Sequence, residues 1–251
     1  MLWDLGLVVG HASRTVHQNI AAAGEDITIR TSLLEMRSIA GATSVSKQML
    51  STFKHWVANQ PAGYFVEAKL AERDQRHARF GGTRYAVEPN VKDGKGGLRD
   101  LHTLFWISKY AYRLDHVRGV LGAGILRISE ARAFASSQRF LWTVRCFLHQ
   151  HHGREDDRLT FDAQMQLAPL MGFSDRSGLR GVERFMKRYY LAARQVGNLT
   201  RIFCAALATD FDQRPRLSLR KLWVAGVAQR LNIKPFTLEG ERLHLPENMR
   251  F

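Results

Sequence analysis

The longest ordered pattern in the chain lies between residues 178 and 207, where Val182, Phe185, Met186, Tyr189, Ala193, Val196 and Phe203 recur at steps of three and four. That period draws one apolar stripe along a helix of about 30 residues, roughly 45 Å long at 1.5 Å per residue. A stripe of that length needs several other helices packed against it, so the expected fold class is mainly α. The opposite face carries Arg184, Lys187, Arg188, Arg194 and Arg201, as a solvated face would.

Shorter patterns supply the partners. Ser44 is placed to cap a helix toward Val57, and residues 64–80 form a second helix closed by Gly81 and Gly82. The following stretch holds Pro89, Gly94, Gly96 and Gly97 and reads as a loop. Residues 98–113 resume a helix with Leu101, Leu104, Phe105 and Ser108 on one face. Ser129 is a good N-cap for a long helix bearing Phe140, Leu141, Val144, Phe147 and Leu148, stopped by Gly153. Ser218 can cap a further helix to about Leu231 that Pro235 ends, and the alternation around Glu239 and Gly240 predicts a small hairpin.

Residues 2–41 differ: short apolar runs alternate with polar segments, predicting one or two strands packed around a helix near residues 14–23. An isolated pair of strands is marginal in water, so this stretch is expected to be the end of a larger α/β unit. The predicted division is residues 1–41, an α/β remnant; 42–210, a helical body; and 211–251, a linker helix and hairpin.

Composition narrows the class. With 45% hydrophobic and 24% charged residues the chain is ordinary globular material rather than disordered. No apolar run approaches the roughly 18–20 residues needed to cross a bilayer. The opening MLWDLGLVVG has no basic start and carries Asp4 within its apolar run, which argues against a secretory signal, so a cytoplasmic location without membrane is expected. Lys and Arg number 37 against 23 Asp and Glu, a net charge of +14 that would attract nucleic acid, nucleotides or an acidic protein. Cys146 and Cys204 each sit in an apolar helical pattern, where a free thiol is expected to act as a small hydrophobe.

The richest stretch for chemistry is EPNVKDGKGGLRDL, residues 88–101. Its glycines would let backbone amides approach an anion, Lys92, Lys95 and Arg99 add charge, and the next helix adds its dipole. It does not match the P-loop, because Gly96 rather than Ser or Thr follows Lys95. The alternative is a glycine-rich connector in which Asp93 and Asp100 cap turns and the helix. Other acid and histidine groups favour structural roles. Asp210 and Asp212 are expected in a solvated linker, Glu155, Asp156 and Asp157 in ion pairs with Arg154 and Arg158, and His149, His151 and His152 in a cluster at a helix end. No HExxH, His-Asp doublet or G-x-S-x-G elbow occurs.

Five blocks carry a resemblance: LWDLGLVVGHASRT (2–15), SLLEMRSIAG (32–41), EPNVKDGKGGLRDL (88–101), FLWTVRCFLHQHHGREDDRLTFDAQ (140–164) and VERFMKRYYLAARQVGNLTR (182–201). In order and spacing they resemble the bacterial PII uridylyltransferase/uridylyl-removing enzymes. That family joins a nucleotidyltransferase domain, a helical domain, an HD phosphohydrolase domain and two ACT domains. The resemblance implies that residues 1–41 are the end of the nucleotidyltransferase domain, 42–210 the helical domain, and 211–251 a lead toward an HD domain. It implies UMP transfer from UTP to a tyrosine of PII with Mg²⁺, PII and UTP rather than nucleic acid as partners, and the missing nucleotidyltransferase half supplied in cis or in trans.

The family's Gly-Ser turn followed by an Asp-x-Asp metal pair is expected upstream of Leu2, so this stretch alone is expected to be inactive. Related enzymes carry a third carboxylate on a strand as acid-x-Arg before a glycine; Glu35, Met36 and Arg37 ahead of Gly41 fit that pattern. Glu35 is therefore the candidate catalytic and metal-binding acid, on a strand expected over residues 34–39. Asp26 is its rival, and a capping box from Ser32 to Glu35 is the structural alternative. Lys92, Gly97 and Arg99 are expected beside the nucleotide, holding triphosphate charge. A reading from a different class is a non-catalytic basic helical module that binds a PII-like protein or nucleic acid.

Overall fold

A computed structural model describes residues 4, 6, 9–114, 126–176 and 178–211, together with the backbone of 237–239 and 242–244. Among them are eight helices and one hairpin: α1 Val16–Glu25, α2 Ile27–Leu34, α3 Thr43–Ala58, α4 Ala62–Arg79, α5 Leu98–Ala111, α6 Ile128–His152, α7 Phe161–Leu170, α8 Gly181–Phe211, β1 Thr237–Glu239 and β2 Arg242–His244. The fold is mainly α, as the periodicity requires.

The spine is α8. Phe185, Tyr189, Ala193, Val196, Leu199 and Phe203 on one face are buried against α5, α6 and α7. Against it α5 presents Leu98, Leu101, Leu104 and Ile107, and α6 presents Phe134, Leu141, Val144 and Leu148. α4 lies along α5, where Phe65 stacks on Tyr110 with ring centroids 4.1 Å apart. The helix stops follow backbone chemistry. Gly81 and Gly82 after α4 and Gly153 after α6 all have positive φ, a conformation that costs a side-chain-bearing residue energy. α3 and α6 start on Ala42 and Arg127 rather than on the serines two positions later. Helix α7, which the apolar period alone does not announce, is capped by Thr160, whose hydroxyl accepts from the Ala163 N–H at 3.3 Å.

The N-terminal expectation needs correction. No strand occurs among the described residues of the first 41; residues 27–34 form α2, and 36–39 have no regular structure. The β-branched run ITIRTSLL favours a strand on propensity, but two tertiary features make it helical. Asp26 caps its start, accepting from the Thr28 and Ile29 N–H groups at 2.6 and 3.3 Å. Buried Arg30 then donates back to Ala23 O at 2.7 Å and Gly24 O at 2.9 Å, satisfying carbonyls at the end of α1, and lies over the Trp56 ring. α1 is held by a capping box in which Thr15 and Gln18 each accept from the other's N–H.

The hairpin pairs Leu238 with Leu243 as the alternation predicts. The helix expected from Ser218 to Leu231 lies outside the described residues. Asp210 is in the last turn of α8 rather than in a linker, and Asp212 is outside the described residues. Cys146 is exposed, against expectation, and Cys204 is half-buried with its Sγ accepting from Arg73 Nη1 at 3.3 Å.

Candidate functional site

The 88–101 loop is a folded knot. Asn90 Oδ1 accepts from the N–H groups of Lys92 and Asp93 at 3.0 and 2.6 Å, making a turn that brings the chain back onto itself. A bridge between Asn90 and Arg158 fixes it to the segment after α6: Val91 N–H donates to Asp157 O at 2.8 Å and Leu159 N–H to Pro89 O at 2.9 Å. Glu88 accepts from the Phe161 N–H at 3.0 Å and from Arg158 at 2.8 Å.

The amides that were expected to cradle phosphate are occupied. Gly94 N–H donates to Asn90 O at 3.0 Å, Gly97 N–H to Gly94 O at 2.9 Å, and Gly96 N–H to the Asp100 carboxylate at 2.8 Å. At the start of α5, Leu98 N–H donates to Val91 O and Arg99 N–H to Lys92 O, so the loop itself satisfies the first turn. The glycines serve close packing. A Cβ on Gly96, whose φ is +83°, would stand 2.6 Å from Ala193 O of α8, and one on Gly97 2.7 Å from Val91 O. This is the connector alternative, used to seat α5 on α8.

Lys92 and Arg99 of the knot are each already paired. Lys92 Nζ is 3.0 Å from Glu155 and 3.7 Å from Asp157, and Arg99 Nε is 3.2 Å from Asp93 with its guanidinium over Trp106. Arg145 completes the network, donating to Asp157 at 2.7 Å and Glu155 at 3.2 Å, and His149 lies 2.8 Å from Asp157. Burial works against ionisation of Asp157, yet hydrogen bonds from Arg145 and His149 hold its carboxyl below the usual aspartate range. The expected ion pairs are therefore redirected: Asp156 does meet Arg154 and the Arg158 N–H, while Glu155 and Asp157 pair across to α6 and Lys92.

Behind this network sits a group that sequence reasoning assigned only a capping role. Asp100 is buried and accepts from Arg76 at 2.5 Å, His77 at 2.8 Å and the Gly96 N–H. Burial opposes its charge, but His77 and Gly96 with Arg76 keep its carboxyl below the ordinary range. It ties α4 to the loop and α5. The available signal was Arg76 and His77 side by side at the end of α4. His102, one turn along α5 from Arg99, is pushed down to about 4 by burial and by Arg99, Arg145 and Arg76. Its ring lies between Trp106 and Trp142, at 5.9 and 6.0 Å.

The two acid candidates lie elsewhere. Asp26 spends its carboxylate on the α2 N-cap, and the Thr28 N–H lowers its carboxyl despite solvent exposure. Glu35 is the C-cap of α2, not a strand residue; it lies half-exposed 3.3 Å from Lys109, which also donates to Leu34 O at 2.5 Å. Beside it is an apolar groove of about 440 Å³ lined by Leu33, Leu34, Met36, Phe53 and Val57. One carboxylate paired with an ammonium does not make a magnesium site, which needs several oxygens converging. No cluster of three potential metal ligands occurs among the described residues, and no helix there is long and apolar enough to cross a membrane.

A second cavity, of about 240 Å³, opens on the other side of the loop between it and α8. Arg84, Glu88, Asn90, Lys95, Arg158 and Tyr189 are among its walls. Arg84 and Arg158 were not singled out from the sequence, because the one is isolated in a polar stretch and the other reads as a partner of neighbouring acids.

Comparison with known proteins decides the family. A family profile described as GlnD PII-uridylyltransferase matches residues 64–204, from within α4 to within α8, with the 88–101 loop in its first third. The chain belongs to the PII-uridylyltransferase family. It is 48% identical over its whole length to the bifunctional uridylyltransferase/uridylyl-removing enzyme of Azospirillum brasilense, covering 27% of that protein. The corresponding enzyme of Rhodospirillum rubrum is 49% identical over 96% of the chain and 25% of the relative. That of Nitrobacter hamburgensis is 52% identical over 82% of the chain and 22% of the relative. The chain thus spans about a quarter of the length of these relatives.

Proposed function

We propose that this chain is the helical portion of a PII uridylyltransferase, the part that supports transfer of UMP from UTP to a tyrosine of a PII protein. The observation that carries this reading is identity near one half along the whole chain to enzymes that bear that name. In this reading Lys92 and Arg99 face the nucleotide, exchanging their present carboxylate partners for phosphate oxygens, and Gly97 keeps the α5 start close to the loop. Glu35 acts with acids from a preceding nucleotidyltransferase segment; the 251 residues contain no Gly-Ser turn followed by Asp-x-Asp. Magnesium belongs to that combined site, and PII and UTP are the partners.

The test is a uridylylation assay with labelled UTP, Mg²⁺ and PII. The 251-residue chain alone is expected to give no labelled PII, and the chain joined to a nucleotidyltransferase segment from a relative is expected to restore labelling. Labelling by the chain alone would refute the division of labour, and failure of the joined protein, once shown folded, would refute the transferase role. The exposed stripe Lys187, Arg194 and Arg201 on α8 supports a second reading, a basic face that docks an acidic protein or nucleic acid. Duplex-DNA binding that weakens steeply with salt would favour it.

A further inference from the structure

The cavity between the loop and α8 is electrostatically unfinished. Among the described residues, Arg84, Lys95 and Arg158 line it against one acid, Glu88, a surplus of two positive charges. Arg158 is paired with Glu88 at 2.8 Å, and Lys95 Nζ meets only a carbonyl, Gly82 O, at 3.0 Å. Half-buried Arg84 has no hydrogen bond or ion pair among the described residues. A guanidinium offers five donors in a planar fork, and those of Arg84 remain available to an acceptor in the cavity.

The fold makes a concession to seat it there. Gly197 lies in the interior of α8, where glycine weakens a helix relative to alanine. A Cβ at that position would stand 2.4 Å from Arg84 Nη1 and 2.7 Å from its Cζ. The absent side chain leaves room for the guanidinium against the helix beside the cavity. An unpaired cation, a second cation with no acid, and a glycine that makes room for the first form a preorganised anion cradle.

We propose that this cavity binds inorganic phosphate or a similar small phosphate-class dianion, held by Arg84 and Lys95 with Arg158 at the rim. Such an ion carries about one to two negative charges near neutral pH, opposite in sign to the surplus. Arginine forks suit its oxygens bidentately. The volume, about 240 Å³, falls below the roughly 300–1,000 Å³ of pockets for drug-sized ligands, which selects a small ion over a whole nucleotide. Neither Lys92 nor Arg99 lines the cavity, so the inference stands apart from uridylyl transfer.

The experiment is calorimetric titration of inorganic phosphate into the full 251-residue chain, with chloride adjusted to constant ionic strength. Saturable binding at one site is expected. Arg84→Gln should weaken it roughly tenfold or more, as loss of a hydrogen bond to a charged group does. Gly197→Ala should weaken it comparably while leaving the charge count unchanged and helix content equal or higher by circular dichroism. That second variant keeps the test sharp if Arg84→Gln perturbs folding. Lys47→Gln, an exposed α3 cation away from the cavity, should bind as the parent does. Absence of saturable binding, unchanged affinity in both cavity variants, or equal loss in Lys47→Gln would overturn the proposal. Competition by UTP for the same Arg84-dependent site would also overturn it, since the anion held would then be a nucleotide's own phosphate.

Discussion

Replacing Asp100 by alanine removes the one carboxylate that faces Arg76, His77 and the Gly96 N–H together. Asp100 and Arg76 are 2% and 8% exposed, so water cannot substitute for the missing partner. Breaking a buried charge pair by deleting one member costs about 3–5 kcal/mol. For a body of this size each kcal/mol moves the thermal midpoint about 2–4 °C, so Asp100→Ala should lower it by about 6–20 °C. Arg76→Met with Asp100→Leu removes both charges and should recover much of the loss, and the coupling from a double-mutant cycle in urea should be of the order of 1–3 kcal/mol. A single-variant loss below about 1 kcal/mol, or a double variant whose cost is the plain sum of the singles, would refute the claim that the pair is buried and mutually dependent. The pH dependence has a definite sign. The native carboxyl titrates below its unfolded value of about 3.9, so its stabilisation is complete above that pH and is lost as the pH falls below it. Asp100→Asn should flatten that acid limb.

Two further outcomes follow from the same neighbourhood. The His102 ring should titrate near pH 4 by nuclear magnetic resonance; because the unfolded imidazole takes its proton near 6.5, stability should fall as the pH drops from about 6.5 to 4, and His102→Gln should remove that slope. A His102 midpoint at or above 6 would contradict the arginine-rich surroundings. Gly96→Ala places a Cβ at a left-handed backbone and 2.6 Å from Ala193 O, and should cost at least about 1–2 kcal/mol by urea denaturation, with a neutral result showing that the loop does not press on α8.

How much was legible differs along the chain. Helices α3 to α6 and α8 lie where the three-and-four period puts them, because a buried stripe leaves its mark on every turn. Gly81, Gly82 and Gly153 mark stops because a positive φ needs glycine. α7 escaped notice: ten residues with Pro169 in the last turn are too short for a strong period, although Thr160 before them was a cap signal. For the candidate site, the loop was found from composition but the partners of its amides were not. Sequence shows which amides a glycine leaves open and cannot show that Asn90 O, Gly94 O and Asp100 already hold them. Lys92 and Arg99 were found as charges, whereas their partners Glu155 and Asp93 lie 63 and 6 positions away in sequence.

The amino-acid order by itself determined the helical class, the long spine and its apolar face, the hairpin pattern near Gly240, and the five blocks that carry the family resemblance. Each of these is written in local periodicity or in contiguous residues. Only the tertiary structure decided that residues 27–34 are helix, since the deciding contact joins Arg30 to carbonyls of the preceding helix and to Trp56 of another. It decided as well that Asp100 is the buried tie of α4 to α5, and that Arg84 lies unpaired against Gly197 across more than 100 positions of sequence. Charge pairing and cavity shape depend on distances between distant segments, and a linear pattern holds no record of those distances.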